Sequence, residues 1–238
     1  MPKGVDSRAV IAELIGTFVL VFIGTATAVF AGSGLISSGM GLLAIAFAFG
    51  FTLMVLVYAI GRISGCHVNP AVTIAMVAAR KISGKGAISY IIAQIVGAVI
   101  ASGVLFVILS GMPAYSLSGH GLGANNVPDF FSVQSAFVLE IVLTALFLFV
   151  IFFATSPKAR ESTQGLAIGG YLFVAHLIGV PLAGSSLNPA RSIGPALLQG
   201  GSALGNLWIF IVAPIIGGLI GYVMYKAVEN RMERGEIR

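Results

Sequence analysis

Two short segments carry the residues best suited to act on something passing between them. Gly65-Cys66-His67-Val68-Asn69-Pro70-Ala71-Val72-Thr73 matches Gly184-Ser185-Ser186-Leu187-Asn188-Pro189-Ala190-Arg191-Ser192 at an offset of 119 positions. Proline has no N–H and a fixed φ, which suits the first turn of a helix. The Asn before it is a preferred N-cap, its side-chain oxygen accepting a backbone N–H. That leaves the NH2 groups of Asn69 and Asn188 free to point elsewhere. A single Asn-Pro-Ala is ordinarily no more than a capped helix start, but two matching copies ask for a joint reading. If the two helices meet head to head, both amides and both positive dipole ends aim at one point. Whatever passes there must accept hydrogen bonds and must not be a cation. A water held by both donors turns its hydrogens away, which breaks a proton wire.

The remaining chemistry-bearing residues are few. Glu13 and Glu140 sit in apolar stretches, and intramembrane carboxylates are functional candidates by default. They could relay protons, or they could accept the backbone N–H groups of the two non-helical segments, which otherwise lack partners in lipid. One glutamate per segment favours the supporting role. The carbonyls of Gly65, Cys66, His67 and Val68, and of Gly184, Ser185, Ser186 and Leu187, would then form a ladder of acceptors along a lumen. His67 either lines an inner vestibule or ties down its loop. His120 reads as a surface loop residue. Cys66 is the only thiol, which excludes an internal disulfide and a multi-cysteine metal site. No phosphate loop, metal-ligand cluster or nucleophile constellation is present, so neither an enzyme nor a cofactor or metal is expected.

The elements that position these residues follow from composition. Of 238 residues 58% are hydrophobic and 9% charged, with a mean hydropathy of +1.03, whereas soluble domains carry about 25% charged residues. The net charge of +5 comes without a basic run or stripe, so nucleic acid is not an expected partner. Apolar runs lie near 9–31, 40–61, 87–110, 133–154, 164–182 and 205–227, six spans of bilayer length. The first is too long for a signal-peptide core and contains Glu13, so it reads as a retained helix. The two Asn-Pro-Ala pieces, near 69–80 and 188–199, would each be roughly 18 Å long, about half the hydrocarbon core. Twelve of the 13 Lys and Arg residues fall on one side if both termini are cytoplasmic, as the positive-inside rule requires. The outer loops, 32–39 and 111–132, contain none, and the longer one reads as a lid over the outer mouth. Arg191 is the exception, and its isolation calls for a functional role.

The halves also resemble each other beyond the two motifs. Glu13 and Thr17 match Glu140 and Thr144, and Gln94-Ile95-Val96-Gly97 matches Pro214-Ile215-Ile216-Gly217. Three spans per half make the second half inverted, with repeats at 9–110 and 133–227, an arrangement whose broken helices mark a permeation site. The fold expected is therefore an all-α polytopic membrane protein of six transmembrane helices and two re-entrant half-helices in a single channel domain.

On these residues the chain resembles the aquaporin, or major intrinsic protein, family, over about 9–227. The resemblance implies a pore in each subunit of a homotetramer. It also implies a selectivity filter at Phe49, His176, Ser185 and Arg191, a set similar to that of the prokaryotic water-selective members. Ser192 stands where glycerol-conducting members typically carry Asp, whereas Ile211 departs from the Trp common in water channels. The function expected is a passive water channel excluding protons and ions, embedded among lipids in a plasma membrane. The alternatives are a channel of the same fold for glycerol, ammonia or hydrogen sulfide, and a proton-coupled transporter.

Overall fold

The computed structural model describes residues 6–32 and 41–233. Most of the outer loop expected at 32–39, together with Lys3, Arg234 and Arg238, lies outside the described residues. Among the described residues the regular elements are all helices: α1 (Ser7–Gly32), α2 (Gly41–Ser64), α3 (Pro70–Ala78), α4 (Gly84–Ser110), α5 (Leu117–His120), α6 (Val133–Ala154), α7 (Glu161–Ala183), α8 (Pro189–Gln199), α9 (Gly201–Gly205) and α10 (Leu207–Glu233). Six candidate spans are long and apolar enough to cross a membrane: α1, α2, α4, α6, α7 and α10, the last counted from α9 onward. The half-helices α3 and α8 have 9 and 11 residues. The order long, long, short, long occurs in each half. α10 runs beyond the apolar stretch expected to end near 227 because polar side chains carry it onward. Lys226 pairs with Glu229 at 2.6 Å, and the Tyr225 hydroxyl donates to the same carboxylate.

The helices close into a bundle with equivalent contacts in both halves. α1 packs on α2 and α4 as α6 packs on α7 and α10, while α2 and α7 meet across the middle. Each half-helix leans on the other half: α3 on α10 and α8 on α4. Two glycines permit the closest approaches. A side chain at Gly97 would run into the Leu14 carbonyl of α1, and one at Gly217 would run into the Ile141 carbonyl of α6. Lipid tails offer no hydrophobic drive to bring helices together, so backbone proximity of this kind supplies the contact. Large apolar side chains such as Ile92, Val107, Leu166 and Val223 are exposed on the outside.

Exposed charged side chains from both halves gather at one end. Arg8 and Arg62 border one groove, and Arg62 pairs with Glu161 at 2.8 Å. Lys81 stands over the Phe152 ring, which stacks on Tyr225. The start of α1 and the end of α10 thus lie at the same end of the bundle.

Candidate functional site

The two segments before the half-helices have the same unusual backbone. Gly65, Cys66 and Val68 have φ of 86°, 50° and 41°, and Gly184, Ser185 and Leu187 have 80°, 51° and 54°. The left-handed region is costly for residues with a Cβ and worst for β-branched ones, so something must hold these loops. Two fully buried carboxylates do so. Glu13 accepts from the His67 and Val68 N–H groups at 2.8 and 2.6 Å, from the Ser64 hydroxyl at 2.6 Å and from Nε2 of Gln94 at 2.7 Å. Glu140 accepts from the Ser186 and Leu187 N–H groups at 2.7 and 2.9 Å. Neither glutamate is among the residues lining the central cavity.

Asn69 and Asn188 cap α3 and α8. Oδ1 of Asn69 accepts from the Ala71 N–H, and Oδ1 of Asn188 accepts from those of Ala190 and Arg191. Their NH2 groups are not wholly free. Nδ2 of Asn69 donates to the Leu187 carbonyl at 2.7 Å, and Nδ2 of Asn188 donates to the Val68 carbonyl at 2.9 Å. Each cap therefore braces the loop of the opposite half. An amide has two N–H donors, so one per Asn remains.

Both asparagines line a narrow cavity, together with Gly65, Cys66, His67, Val68, Ser186 and Leu187. Its volume is about 40 Å³; a water needs roughly 10–15 Å³, so the cavity takes a short row of waters. At one end Phe49, His176 and Arg191 narrow it. The Phe49 and His176 ring centroids lie 4.6 Å apart, and the Arg191 guanidinium carbon sits 4.9 Å from the Phe49 centroid. Nδ1 of His176 is 2.9 Å from the Leu172 carbonyl. A carbonyl can only accept, so Nδ1 carries the hydrogen, and in the neutral ring Nε2 has only its lone pair to offer. Nε2 has no partner, nor does Nε of Arg191. Beyond this neck a second pocket is lined by Arg191, Gly184, Gln199, His120, Gly121, Gly123 and Ala124.

Of the four positions expected to form a filter, the structure brings three together. Ser185 stands apart: it is fully buried, it is absent from the cavity lining, and its hydroxyl faces Gly179. His67 combines both roles considered for it, lining the cavity while its Nδ1 lies 3.1 Å from the Thr73 hydroxyl. His120 ends α5 at the surface and borders the second pocket. The long outer loop is a strapped wall rather than a loose lid. The Gly123 carbonyl accepts from Nη1 of Arg191 at 2.9 Å, and Oε1 of Gln199 accepts from the Leu122 N–H at 2.8 Å.

Sequence reasoning missed two contributors. Gly24 leaves the space that the Phe49 ring fills, since any side chain there would collide with the ring. Asn125, 2% exposed, receives the Ser192 hydroxyl at 2.7 Å. The spacing of small residues along the first span could have hinted at Gly24; nothing local pointed to Asn125.

Known proteins resemble this chain over most of its length. The profile described as "Major intrinsic protein" matches residues 3–225. The chain is 43% identical over 227 residues to Aquaporin Z of Rhodopseudomonas palustris, covering 94% of both chains. It is 44% identical over 223 residues to Aquaporin Z of Photorhabdus laumondii, covering 92% of this chain and 96% of that protein. In fold it is similar to the X-ray structure of the aquaglyceroporin from Plasmodium falciparum, with a TM-score of 0.83 and 24% identity over 94% of this chain and 97% of that one. With six spans and these relatives the protein is a multi-pass membrane protein, and the chain belongs to the major intrinsic protein family.

Proposed function

We propose that the protein is a passive water channel, with one pore in each subunit of a homotetramer. It sits in a plasma membrane with both termini cytoplasmic, the side to which its Lys and Arg residues belong by the positive-inside rule. The single observation that carries the reading is the narrow cavity, where two half-helix N-termini capped by Asn69 and Asn188 meet below a neck of Phe49, His176 and Arg191. The relatives bearing the name Aquaporin Z support the same assignment.

The chemistry follows from donors and shape. A water at the midplane accepts the remaining N–H of each asparagine, so its own hydrogens point along the pore and away from the centre. The water file is then oriented oppositely on the two sides, and a proton cannot hop through. The positive ends of α3 and α8 and the charge of Arg191 repel cations. The carbonyls of Gly65, Cys66, His67 and Ser186, residues that line the cavity, give each water an acceptor in place of those it left in bulk. At the neck His176 and Arg191 supply an acceptor and donors, while Phe49 closes one wall. A carbon backbone finds no room there. The two halves act as an inverted repeat, over 9–110 and 133–227, each half supplying one half-helix and one bracing glutamate.

Reconstitution in proteoliposomes tests this. Under osmotic shock in a stopped-flow instrument the vesicles are expected to shrink far faster than protein-free ones, without re-swelling in glycerol. Re-swelling at a comparable rate would move the assignment to a channel for small neutral solutes. Solute flux that follows an imposed proton gradient would overturn the passive channel.

A further inference from the structure

The two half-helices carry a hydroxyl at the same register, Thr73 in α3 and Ser192 in α8. Each meets the loop residue two before the capping asparagine. Nδ1 of His67 lies 3.1 Å from the Thr73 hydroxyl, and Oγ of Ser186 lies 2.6 Å from Oγ of Ser192. A buried amide also reaches each hydroxyl, but the two amides come from different parts of the chain. In the first half it is Gln94 on α4, whose Nε2 donates to Thr73 at 3.0 Å. The matching position on α10 is Pro214, which has no amide side chain. In the second half the amide is Asn125, from the loop between α5 and α6, whose Oδ1 accepts from Ser192 at 2.7 Å.

The loop is built to hold that amide still. Leu122 is fully buried against Val29, Leu105 and Leu109. Gly123, at φ 68°, lies so close to α1 that a Cβ would sit 2.9 Å from the Thr25 carbonyl oxygen. Nδ2 of Asn126 donates to the Ser202 hydroxyl at 2.9 Å, and its Oδ1 accepts from Asn206 at 2.8 Å. Residues 123–125 thereby grip two consecutive residues of α8: the Gly123 carbonyl takes the Arg191 guanidinium and Asn125 takes the Ser192 hydroxyl. A serine hydroxyl has one proton. With that proton on Asn125, Ser186 must donate to Ser192, and Oγ of Ser186 accepts the Asn188 N–H at 3.1 Å. A continuous chain thus runs from Asn125 through Ser192 and Ser186 to Asn188.

We infer that Asn125 is a specificity-determining positioning residue: the outer loop supplies the amide that Pro214 cannot, and so holds Arg191 and Asn188 in the places that exclude solutes larger than water. The inference rests on the reading of Phe49, His176 and Arg191 as the filter. Without Asn125 the first turn of α8 keeps only the Gly123 bond on its outer side, and that one contact is left to hold the guanidinium against Phe49.

The test compares glycerol re-swelling with osmotic shrinkage for the parent protein, Asn125→Ala, Asn125→Asp, Ser192→Ala and Arg191→Val in proteoliposomes. Arg191→Val is expected to admit glycerol. Asn125→Ala and Ser192→Ala should each raise the glycerol-to-water permeability ratio roughly fivefold, the factor corresponding to one neutral hydrogen bond. Asn125→Asp keeps the acceptor oxygen and should restore the parent ratio. Should Asn125→Ala fail to fold, Ser192→Ala decides alone, because it cuts the same bond, together with the one to Ser186, and leaves the loop intact. If the folded Ala variants exclude glycerol as the parent does while Arg191→Val admits it, the inference is overturned and the filter reading stands. Exclusion by Arg191→Val would sink the filter reading and the inference with it.

Discussion

The Arg191 guanidinium has five N–H donors, one of them spent on the Gly123 carbonyl, and it is 3% exposed at the narrow end of the cavity. Its charge and the bulk of His176 are the two terms that the neck opposes to a solute. Replacing both, as Arg191→Val with His176→Ala, is expected to admit glycerol and to let a pH gradient collapse, read as re-swelling and by an entrapped pH dye. A double variant that conducts water yet stays closed to both would remove these residues from the filter. Cys66 offers a second reading at this scale. It lines the cavity and is 7% exposed, so a mercury atom on its sulfur would project into a row of waters. The thiolate is the reactive form. Mercurials are expected to slow osmotic shrinkage, sooner when they can reach the inner face, and Cys66→Ser should escape the inhibition. Unchanged flux after mass spectrometry has shown Cys66 to be fully modified would place its side chain away from the water file.

At the scale of elements, each half-helix depends on a loop that its own backbone disfavours. Glu13 receives four hydrogen-bond donors and Glu140 two backbone donors, and those bonds offset the strain at Cys66, Val68, Ser185 and Leu187. In Glu13→Gln one carboxylate oxygen becomes an NH2 facing other donors. Leaving buried donors unmatched costs about 1–3 kcal/mol. The variant should therefore unfold at lower temperature in detergent, with water flux no more pH-dependent than in the parent. Equal thermal stability, or a proton-driven flux abolished by the substitution, would instead favour a relay role. The helix contacts make a parallel prediction. Gly217→Leu forces α10 off the Ile141 carbonyl of α6, an overpacking that typically costs roughly 1–3 kcal/mol. Loss of thermal stability is expected, and a fully stable Gly217→Leu protein would show that the two helices need not approach so closely.

For the whole molecule, the gathering of Arg8, Arg62, Glu161, Lys81 and Lys226 at one end sets a testable orientation. In a Cys66→Ser background, an impermeant maleimide should label Lys158→Cys from the cytoplasmic side and Ser118→Cys from outside. The reverse pattern would invert the assignment. The spans, the two half-helices, the capping asparagines and the glutamates were all legible in the sequence, because each is written in contiguous residues. Apolar run length marks a span, Asn-Pro marks a helix start, and a fixed offset between halves marks their pairing. α6 was read at Val133–Ala154, where it stands. What no local pattern revealed was how the remaining hydrogen bonds and spaces would be filled. The cross-bracing of Asn69 and Asn188 joins residues 118 and 120 positions apart. The bond from Ser192 to Asn125 spans 67 positions, and the place of the Phe49 ring depends on Gly24 of another helix. Such contacts exist only once the bundle has brought distant segments within about 3 Å of each other. The elements and their polar ends were therefore determined by the sequence alone, while the tertiary structure decided which side chains hold the pore to its width.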